Sequence, residues 1–449
     1  MNGLGATILV VLVLAVLFSP RRWALQAMMA GVLYLTESQQ IDVSGFNLFA
    51  VRFLELAGFI RVMVRHEFSF RRMNTVDHAL LWLYLYSTVL FLLRSSTGQA
   101  YQIGIAVDAS LSYFTFRGLV GNMDDFRWFL RTFILLLAPY AFMVVSESLT
   151  GHNPFTILGG DTGIGWVRHE RPRCFGSFRQ PDTLGMFAAS FIPLYIGMAC
   201  VNSERKRSLL GIFLCLLIVW AANSGGETAA AVTGLVGWGF WRVRTDMRKV
   251  RGGIVAILVA LTLVMNAPVW YIFAHISSIT GGDGWHRSYL IDVAYRHLSQ
   301  WWLAGMPTSD TADWFAYVLV TTGAADITNQ FIAFGLNAGL GAIVLFVLLL
   351  TRAFSNLGRA LAAVRSSSQK AGGNEFLLWG LGIVLVVHII NWFGITYFDQ
   401  MYLVWFMQLA AISTLSDAWI KETVPQAQEV AEPAEGTPSL ATLAVGDSK

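Results

Sequence analysis

Apolar segments long enough to enter a lipid bilayer recur along the chain and limit its fold more than any motif does. A membrane-spanning helix needs about 20 mainly apolar residues. Such stretches lie near residues 4–19, 23–35, 44–64, 76–93, 103–120, 128–146, 183–200, 208–223, 227–241, 253–268, 331–351, 376–392 and 400–416. Because the first two are short and only "SPRR" separates them, the pattern predicts an all-α polytopic membrane protein with about 12 or 13 transmembrane helices.

Composition agrees with this class of protein. Hydrophobic residues make up 55% and charged residues 13% of the 449 residues, whereas soluble domains carry about 25% charged residues. The formal net charge of +3 is small and gives no reason to expect nucleic acid as a partner. Three scattered cysteines, Cys174, Cys200 and Cys215, indicate neither a disulfide framework nor a metal site, and no cofactor is predicted.

The distribution of positive charge predicts the topology. Lys and Arg cluster between alternate apolar stretches, at residues 64–72, 203–208, 242–251 and 352–370. The positive-inside rule places these clusters in the cytoplasm. Two long polar connections, about 147–182 and 269–330, are then expected on the outer face of a transmembrane domain spanning 1–418. The tail at 419–449 is rich in Pro, Glu and Ala and is expected to be cytoplasmic and disordered.

The first outer connection carries arginines where the charge rule predicts few. The stretch "GWVRHERPRCFGSFRQPDTLG" holds Arg168, Arg171, Arg173 and Arg179. A guanidinium offers a planar fork of donors that matches a phosphate and never loses its charge. Beside a bilayer, such a group suits a lipid-linked phosphate or pyrophosphate. The alternative is that these arginines pair with lipid headgroups or local acids and only anchor the loop.

The second outer connection predicts an amphipathic helix. In "WHRSYLIDVAYRHLSQWWLAGMP" (285–307) the apolar residues recur at helical spacing, so we expect a helix that lies along the outer membrane interface. Arg287 falls in its first turn beside the flexible "TGGDGWH", where free backbone N–H groups also favour an anion. Asp292 and Arg296 are four residues apart and are expected to form an exposed ion pair.

Three of these stretches together resemble the O-antigen ligase and polymerase family of bacterial polysaccharide assembly. They are "RPRCFGSFRQPDTLG", "HRSYLIDVAYRHLSQWWLAG" and "DITNQFIAFGLNAGLGAIVLF", in that order. The resemblance in topology covers about residues 40–416, and the motifs cover roughly 171–189 and 285–346. It implies a GT-C-like glycosyltransferase of the bacterial inner membrane, with a large periplasmic loop and a periplasmic active face. The implied donor is a glycan on undecaprenyl pyrophosphate, and chain-length regulators or other assembly proteins are further implied partners beside membrane lipids.

The resemblance also implies roles for particular residues. The family's Arg three residues before Gly-x-Phe falls on Arg173, and its Arg at the head of the outer-loop helix falls on Arg287. These two are expected to bind the pyrophosphate, with Arg179 as a further candidate. Ligases of this kind have a His just before the helix that follows the outer loop, whereas this chain has Asn329 and Gln330 there. The difference favours polymerisation of lipid-linked repeat units over ligation to lipid A core.

Transfer to an acceptor hydroxyl also needs a base. Asp326 is the first candidate because the amides of Asn329 and Gln330 beside it can hydrogen-bond sugar hydroxyls. The other outer-face candidates are His169, Glu170 and Asp182. A structural alternative for Asp326 is a cap on the helix that starts near 331.

Charged residues also occur inside the predicted spans. Arg52 and Glu55 are expected to neutralise each other on one helix face, and Asp108 and Arg117 are interpreted as structural pairs rather than functional groups. Two other functions remain open at this point. A lipid-linked sugar flippase or another multi-span transporter fits the composition equally well, although the chain shows no related halves. A non-catalytic partner in polysaccharide assembly is the third.

Overall fold

The computed structural model describes residues 1–43, 46–160, 167–168, 170–275, 283–315, 323–367 and 371–431. Of the described residues, 79% are helical, and almost none lie in sheet. The first helices are α1 (Gly3–Phe18), α2 (Arg21–Tyr34), α3 (Ala50–Val64), α4 (Thr75–Arg94), α5 (Gln99–Leu119), α6 (Met123–Thr150) and α7 (Pro181–Ala199). They are followed by α8 (Arg205–Ala222), α9 (Gly225–Gly239), α10 (Met247–Val264), α11 (Gly284–Arg296), α12 (Leu298–Trp301), α13 (Gln330–Ser366), α14 (Ala371–Trp392) and α15 (Gln400–Ala431).

Two short antiparallel hairpins lie between helices. Strands β1 (Gln40–Val43) and β2 (Phe46–Phe49) pair with Gln40 opposite Phe49. Strands β3 (Val167–Arg168) and β4 (Arg171–Pro172) pair with Val167 opposite Pro172. The second hairpin falls in the arginine-rich connection.

Each predicted apolar stretch coincides with a helix. By length and hydropathy, six helices of the described chain can cross a membrane, namely α4, α6, α7, α13, α14 and α15. A seventh results if α10 and residues Val269–His275, which are bent by 99° relative to each other, form one span. The helices are therefore compatible with a polytopic membrane protein. The count of 12 or 13 spans stays a prediction, because the other helices are shorter or more polar.

Helix α7 lies at the centre of the bundle, with 83% of its apolar window buried. Its aromatic side chains Phe187 and Phe191 pack against Phe133 of α6, with ring centroids 6.3 and 5.0 Å away. At Gly185 an added Cβ would lie 2.6 Å from the Cγ of Glu227 on α9. Small residues allow backbones to approach in this way in membrane helix bundles. The start of α7 and the start of α9 are therefore in direct contact.

The basic runs meet at one end of the bundle. Arg131 of α6 lies 2.7 Å from Glu204, which precedes the basic start of α8. Glu375 of α14 forms ion pairs with Arg244 at 3.0 Å and with Arg365 at 2.6 Å. Segments that the charge rule assigns to one side of the membrane therefore contact one another.

The two polar connections lie at the opposite end. Helix α6 starts at the basic end and finishes at Thr150, next to the arginine-rich connection. Helix α13 starts at Gln330, directly after the second connection, and finishes at Ser366 among the basic runs. The basic runs and the two polar connections therefore lie at opposite ends of the bundle.

The intramembrane charges Arg52, Asp108 and Arg117 form structural pairs as predicted, but their partners lie on other helices. The Nε and Nη2 atoms of Arg52 donate to Asp108 of α5 at 2.9 and 2.7 Å, so Glu55 is not its partner. Arg117 forms its ion pair at 2.8 Å with Asp77 of α4 rather than with Asp108. Asp108 and Arg117 are nine residues apart, which is two and a half helical turns, so they face opposite sides of α5.

Two further expectations need correction. Helix α11 forms as predicted, and Arg296 pairs with Asp292 at 2.5 Å. Its apolar side chains do not lie on the membrane interface, because Leu290 and Val293 are buried in a cluster that covers the start of α13. The final helix continues to Ala431, beyond the predicted start of the disordered tail at 419, in a stretch rich in the helix formers Glu, Gln and Ala. Residues 432–449 lie outside the described chain.

Candidate functional site

The arginine-rich loop between β4 and α7 is fixed by buried polar groups. Glu147, in the last turn of α6, is 3% exposed, and its two carboxylate oxygens accept the backbone N–H groups of Phe175 at 3.1 Å and Gly176 at 3.0 Å. Asn153 donates to the Gly176 carbonyl at 2.8 Å. Gly176 has φ +58°, and a Cβ there would lie 2.9 Å from the Tyr140 hydroxyl, so only glycine fits. The loop therefore has one defined path.

Arg173 projects from this loop onto the start of α7. It forms an ion pair and a hydrogen bond through Nη2 with Asp182, in the first turn of that helix. The Arg173 side chain is 16% exposed, and its Nε is buried without a hydrogen-bond partner within the described chain. Asp182 therefore positions the guanidinium while part of its donor fork stays available.

Arg287 reaches the same region from the second connection. It lies in the first turn of α11, which Asp283 caps by accepting the His286 N–H at 3.2 Å. Its guanidinium packs against two glycines. A Cβ on Gly226 would lie 3.2 Å from Nη2, and a Cβ on Gly394 would lie 2.7 Å from Cζ. In the part of the chain that the structure describes, no group hydrogen-bonds to this guanidinium or forms an ion pair with it.

Carboxylates connect the two arginines. Glu227, at the start of α9 and 1% exposed, interacts electrostatically with both Asp182 and Arg287. Asp326, in the segment before α13, interacts with Asp182 as well. We call these five residues the arginine–carboxylate cluster: Arg173, Asp182, Glu227, Arg287 and Asp326. It joins segments that are far apart in the sequence at the non-basic end of the bundle.

Asp326 has the properties of an accessible base. The residue is exposed, yet the protein groups around it remove part of its hydration and raise the pKa of its carboxyl, and the carboxylates of Asp182 and Asp283 raise it further, while His286 opposes the shift. The ring of His286 lies 3.3 Å from the Asp326 carbonyl and stacks on Phe315 at 4.9 Å. A raised pKa brings a carboxylate closer to the working range of a general base.

The helix cap at this position is Asn329, so the interpretation of Asp326 as the cap of α13 is wrong. The Asn329 side-chain oxygen accepts the N–H groups of Phe331 at 3.0 Å and Ile332 at 3.1 Å. The Gln330 side-chain oxygen accepts the Tyr397 N–H at 2.8 Å. Both predicted sugar-binding amides therefore have structural hydrogen-bonding roles, and both residues are buried, at 2% and 4% exposed. Gln330 also hydrogen-bonds through its side chain to Tyr402.

The other arginines of the patch have different partners. Arg179 forms ion pairs with Glu37 at 2.6 Å and Asp399 at 2.9 Å, so it belongs to a separate group of charges. Arg171 lies over the Trp220 ring at 4.5 Å and donates to the Trp220 carbonyl at 3.3 Å. It has the anchoring role that was the alternative for the whole patch. His169, one of the candidate bases, lies outside the described residues.

Two buried carboxylates of this region were not predicted. Glu147 and Glu227 fall at the ends of apolar stretches, in "SESLTG" and "SGGETAA". An ionisable residue within a predicted span is a functional candidate by default. The same signal extends to residues at the ends of spans, where it identifies both Glu147 and Glu227.

A cavity of about 720 Å³ opens next to this cluster, between α3, α4, α5, α13 and the start of α15. Arg52, Glu55, Arg94 and Asp108 supply charge to its wall. Comparison with known proteins adds no name to either site, since no family model and no curated protein sequence matches the chain.

Proposed function

We propose that the chain is a membrane glycosyltransferase that transfers a glycan from a polyprenyl pyrophosphate, such as undecaprenyl pyrophosphate, to a saccharide hydroxyl on the periplasmic face of the bacterial inner membrane. The observation that carries the proposal is the arginine–carboxylate cluster. It combines Arg287, a guanidinium that makes no hydrogen bond or ion pair with the described residues, with Arg173, a guanidinium held by a carboxylate. The resemblance to the O-antigen ligase and polymerase family supports the choice of donor.

The chemistry follows from the charges that develop during transfer. The acceptor oxygen bonds to the anomeric carbon of the donor sugar, and the bond from that carbon to the pyrophosphate oxygen breaks. The leaving pyrophosphate gains negative charge, which the donor forks of Arg173 and Arg287 stabilise. The proton of the acceptor hydroxyl passes to the carboxylate of Asp326. Asn329 and Gln330 in place of a His favour polymerisation of repeat units over ligation.

Lysine substitution tests the role of the arginines. Arg173→Lys and Arg287→Lys keep the charge and lose the bidentate fork. A donor that stabilises a developing anion contributes about 2.7–4 kcal/mol, so we expect each variant to lower turnover roughly a hundredfold to a thousandfold. Turnover is measured as polymer formed by membranes supplied with lipid-linked repeat units, at matched protein level.

Two controls separate this role from general effects of losing arginine. Arg296→Lys changes the same helix as Arg287 at an exposed guanidinium, which pairs with the buried Asp292. Arg171→Lys changes the same connection as Arg173 at a stack on Trp220. Both should keep near-normal turnover. Near-normal polymer from both Arg173→Lys and Arg287→Lys would instead show that these residues only anchor the loops to lipid headgroups.

A further inference from the structure

The cavity of about 720 Å³ is separate from the arginine–carboxylate cluster, and we call it the α3–α5 cavity. Side chains of α3, α4 and α5 form one side of its wall, and the starts of α13 and α15 and the connecting segments 306–309 and 396–399 contribute the rest. Its volume falls in the range of about 300–1,000 Å³ that is typical of pockets for whole small-molecule ligands.

Within the described chain, buried polar atoms of several residues on this wall have no hydrogen-bond partner. They include three acceptors, Oε2 of Glu55, Oγ of Ser87 and Oε1 of Gln400, and one donor, Nε of Arg94. Glu55, Ser87 and Gln400 are 3%, 1% and 2% exposed. Nearly all buried polar atoms in folded proteins are hydrogen-bonded, so atoms left unpaired on one cavity wall are available to water or to a ligand in the cavity.

The missing partners of the three acceptors are hydrogen-bond donors. The Gln400 amide nitrogen donates to the carbonyls of Leu35 at 3.3 Å and Ser177 at 2.8 Å, which fixes the amide with its oxygen as the unused atom. An amide oxygen can only accept, a carboxyl oxygen of Glu55 accepts when the group is ionised, and a serine hydroxyl can do both. A phosphate brings oxygens that accept, so it does not satisfy this set, whereas a ligand with several hydroxyl groups does.

The rest of the wall suits a sugar as well. Arg52 donates through Nε and Nη2 to one oxygen, Oδ2, of Asp108 on the wall. The Arg94 guanidinium contributes a buried Nε that has no partner of its own in the described chain. Aromatic side chains supply flat apolar surface: Phe49, Tyr84, Phe91, Tyr101, Phe398, Tyr402 and Phe406. Donors, acceptors and aromatic faces together match a molecule that has hydroxyl groups on its edges and apolar ring faces.

One chain segment separates this cavity from the cluster. Gly394 lies against the Arg287 guanidinium, while Thr396 and Tyr397 line the cavity. Two residues of chain span at most about 7 Å, so the guanidinium and the cavity wall are close neighbours. A hydroxyl group extending past this segment from the cavity would approach the region of Arg287.

We propose that the α3–α5 cavity is a binding site for the acceptor saccharide, which it recognises through hydroxyl groups that donate to Glu55, Ser87 and Gln400. The assignment of this saccharide as the acceptor rests on the proposed glycosyltransferase function. The recognition of a polyhydroxylated ligand by the cavity does not.

Substitutions on the wall test the site without damaging the fold. Ser87→Ala removes a buried hydroxyl that makes no hydrogen bond within the described chain, so we expect thermal stability to be unchanged or higher. Glu55→Gln keeps the shape of the side chain and removes its charge. The matched control is Thr88→Ala on the next residue of α4, whose hydroxyl is also buried without a described partner but does not line the cavity.

The probes are free oligosaccharide, released by mild acid from polyprenyl-linked material of the cells that express the protein, and undecaprenyl pyrophosphate. Binding of each to the purified full chain is measured separately. Ser87→Ala should weaken oligosaccharide binding about fivefold and Glu55→Gln about tenfold or more, because losing a hydrogen bond to a charged group costs more than losing a neutral one. Thr88→Ala should bind as the unaltered protein does, and all three variants should bind undecaprenyl pyrophosphate normally.

The outcomes distinguish the two proposals. If the protein binds no oligosaccharide, or if Thr88→Ala weakens its binding as much as Ser87→Ala, the α3–α5 cavity is not a saccharide site. If oligosaccharide binds in the cavity while undecaprenyl pyrophosphate does not bind, the site stands and the glycosyltransferase function fails. That second pattern, with sugar uptake into vesicles, is what a transporter would give.

Discussion

Glu147 offers a test of whether the path of the arginine-rich loop controls the function of Arg173. Each of its carboxylate oxygens accepts one backbone N–H, from Phe175 at 3.1 Å and from Gly176 at 3.0 Å. In Glu147→Gln one of these oxygens becomes an NH₂ group, which cannot accept. The variant therefore leaves one buried backbone donor facing another donor.

The size of the effect follows from this count. Removing the acceptor of a buried donor costs about 1–3 kcal/mol. Because Glu147→Gln leaves one such donor unpaired, we expect it to destabilise the loop by roughly 1–3 kcal/mol. Because Arg173 lies two residues before Phe175, its guanidinium should leave its position beside Asp182 for part of the time. Misplacement of a catalytic group by about 1 Å can lower turnover about a hundredfold.

Hydrogen exchange and polymer synthesis together measure the outcome. The amides of Phe175 and Gly176 should exchange faster in Glu147→Gln, while amides in the middle of α7 keep their protection. Polymer formation should fall at unchanged protein level. Glu170→Gln is the control, because Glu170 is an exposed carboxylate of the same connection. If Glu147→Gln exchanged and polymerised like the control, the idea that this carboxylate fixes the loop would be wrong.

Three further outcomes are expected. Gly394→Ala should weaken binding of undecaprenyl pyrophosphate with little change in thermal stability, because its Cβ would lie 2.7 Å from the Arg287 Cζ and displace a partly exposed side chain. Asp326→Asn should abolish the decrease of the transfer rate at acidic pH, since a base acts only when ionised. Because the pKa of Asp326 is raised in the folded state, this carboxyl stabilises the fold most at pH values below the ordinary pKa of a carboxyl. The stabilisation is lost as the pH rises through the pKa of the folded state, so Asp326→Asn should also be slightly more stable than the parent protein at neutral pH. In a cysteine-free background, a membrane-impermeant thiol reagent should label Tyr295→Cys from the periplasm and leave Ser355→Cys unlabelled, and the reverse result would contradict the topology.

The helices were predictable because their signal is local. An apolar stretch of about 20 residues has few alternatives to a helix, and each predicted stretch contains one, although the stretch at 44–64 includes strand β2 before α3 begins. The ends were less predictable. Helix α15 continues to Ala431 because Glu, Gln and Ala form helices readily, although their polarity also fits a disordered tail. Composition alone does not separate these two states.

The pairing of charges was not predictable, because partners lie on other helices. The spacing of Arg52 and Glu55 permits a pair within one helix, yet Arg52 pairs with Asp108 of α5. One oxygen of Glu55, which lines the cavity, therefore has no hydrogen-bond partner in the described chain. Sequence spacing describes neighbours on one helix and carries no information about which faces meet across the bundle. The α3–α5 cavity could therefore be recognised only once these faces were placed.

The same limit explains why the roles of the two site arginines differ more than their motifs indicate. Arg173 is held by Asp182, nine residues along the chain, so its position is set before any ligand arrives. Arg287 packs on the glycines 226 and 394, and no described carboxylate forms a direct ion pair with it, although Glu227 interacts with it electrostatically. A pyrophosphate that enters the cluster therefore meets one guanidinium fixed in place and one that is free to close on it. This division of roles predicts that loss of the fork at Arg287 affects donor affinity first, whereas at Arg173 it affects turnover first.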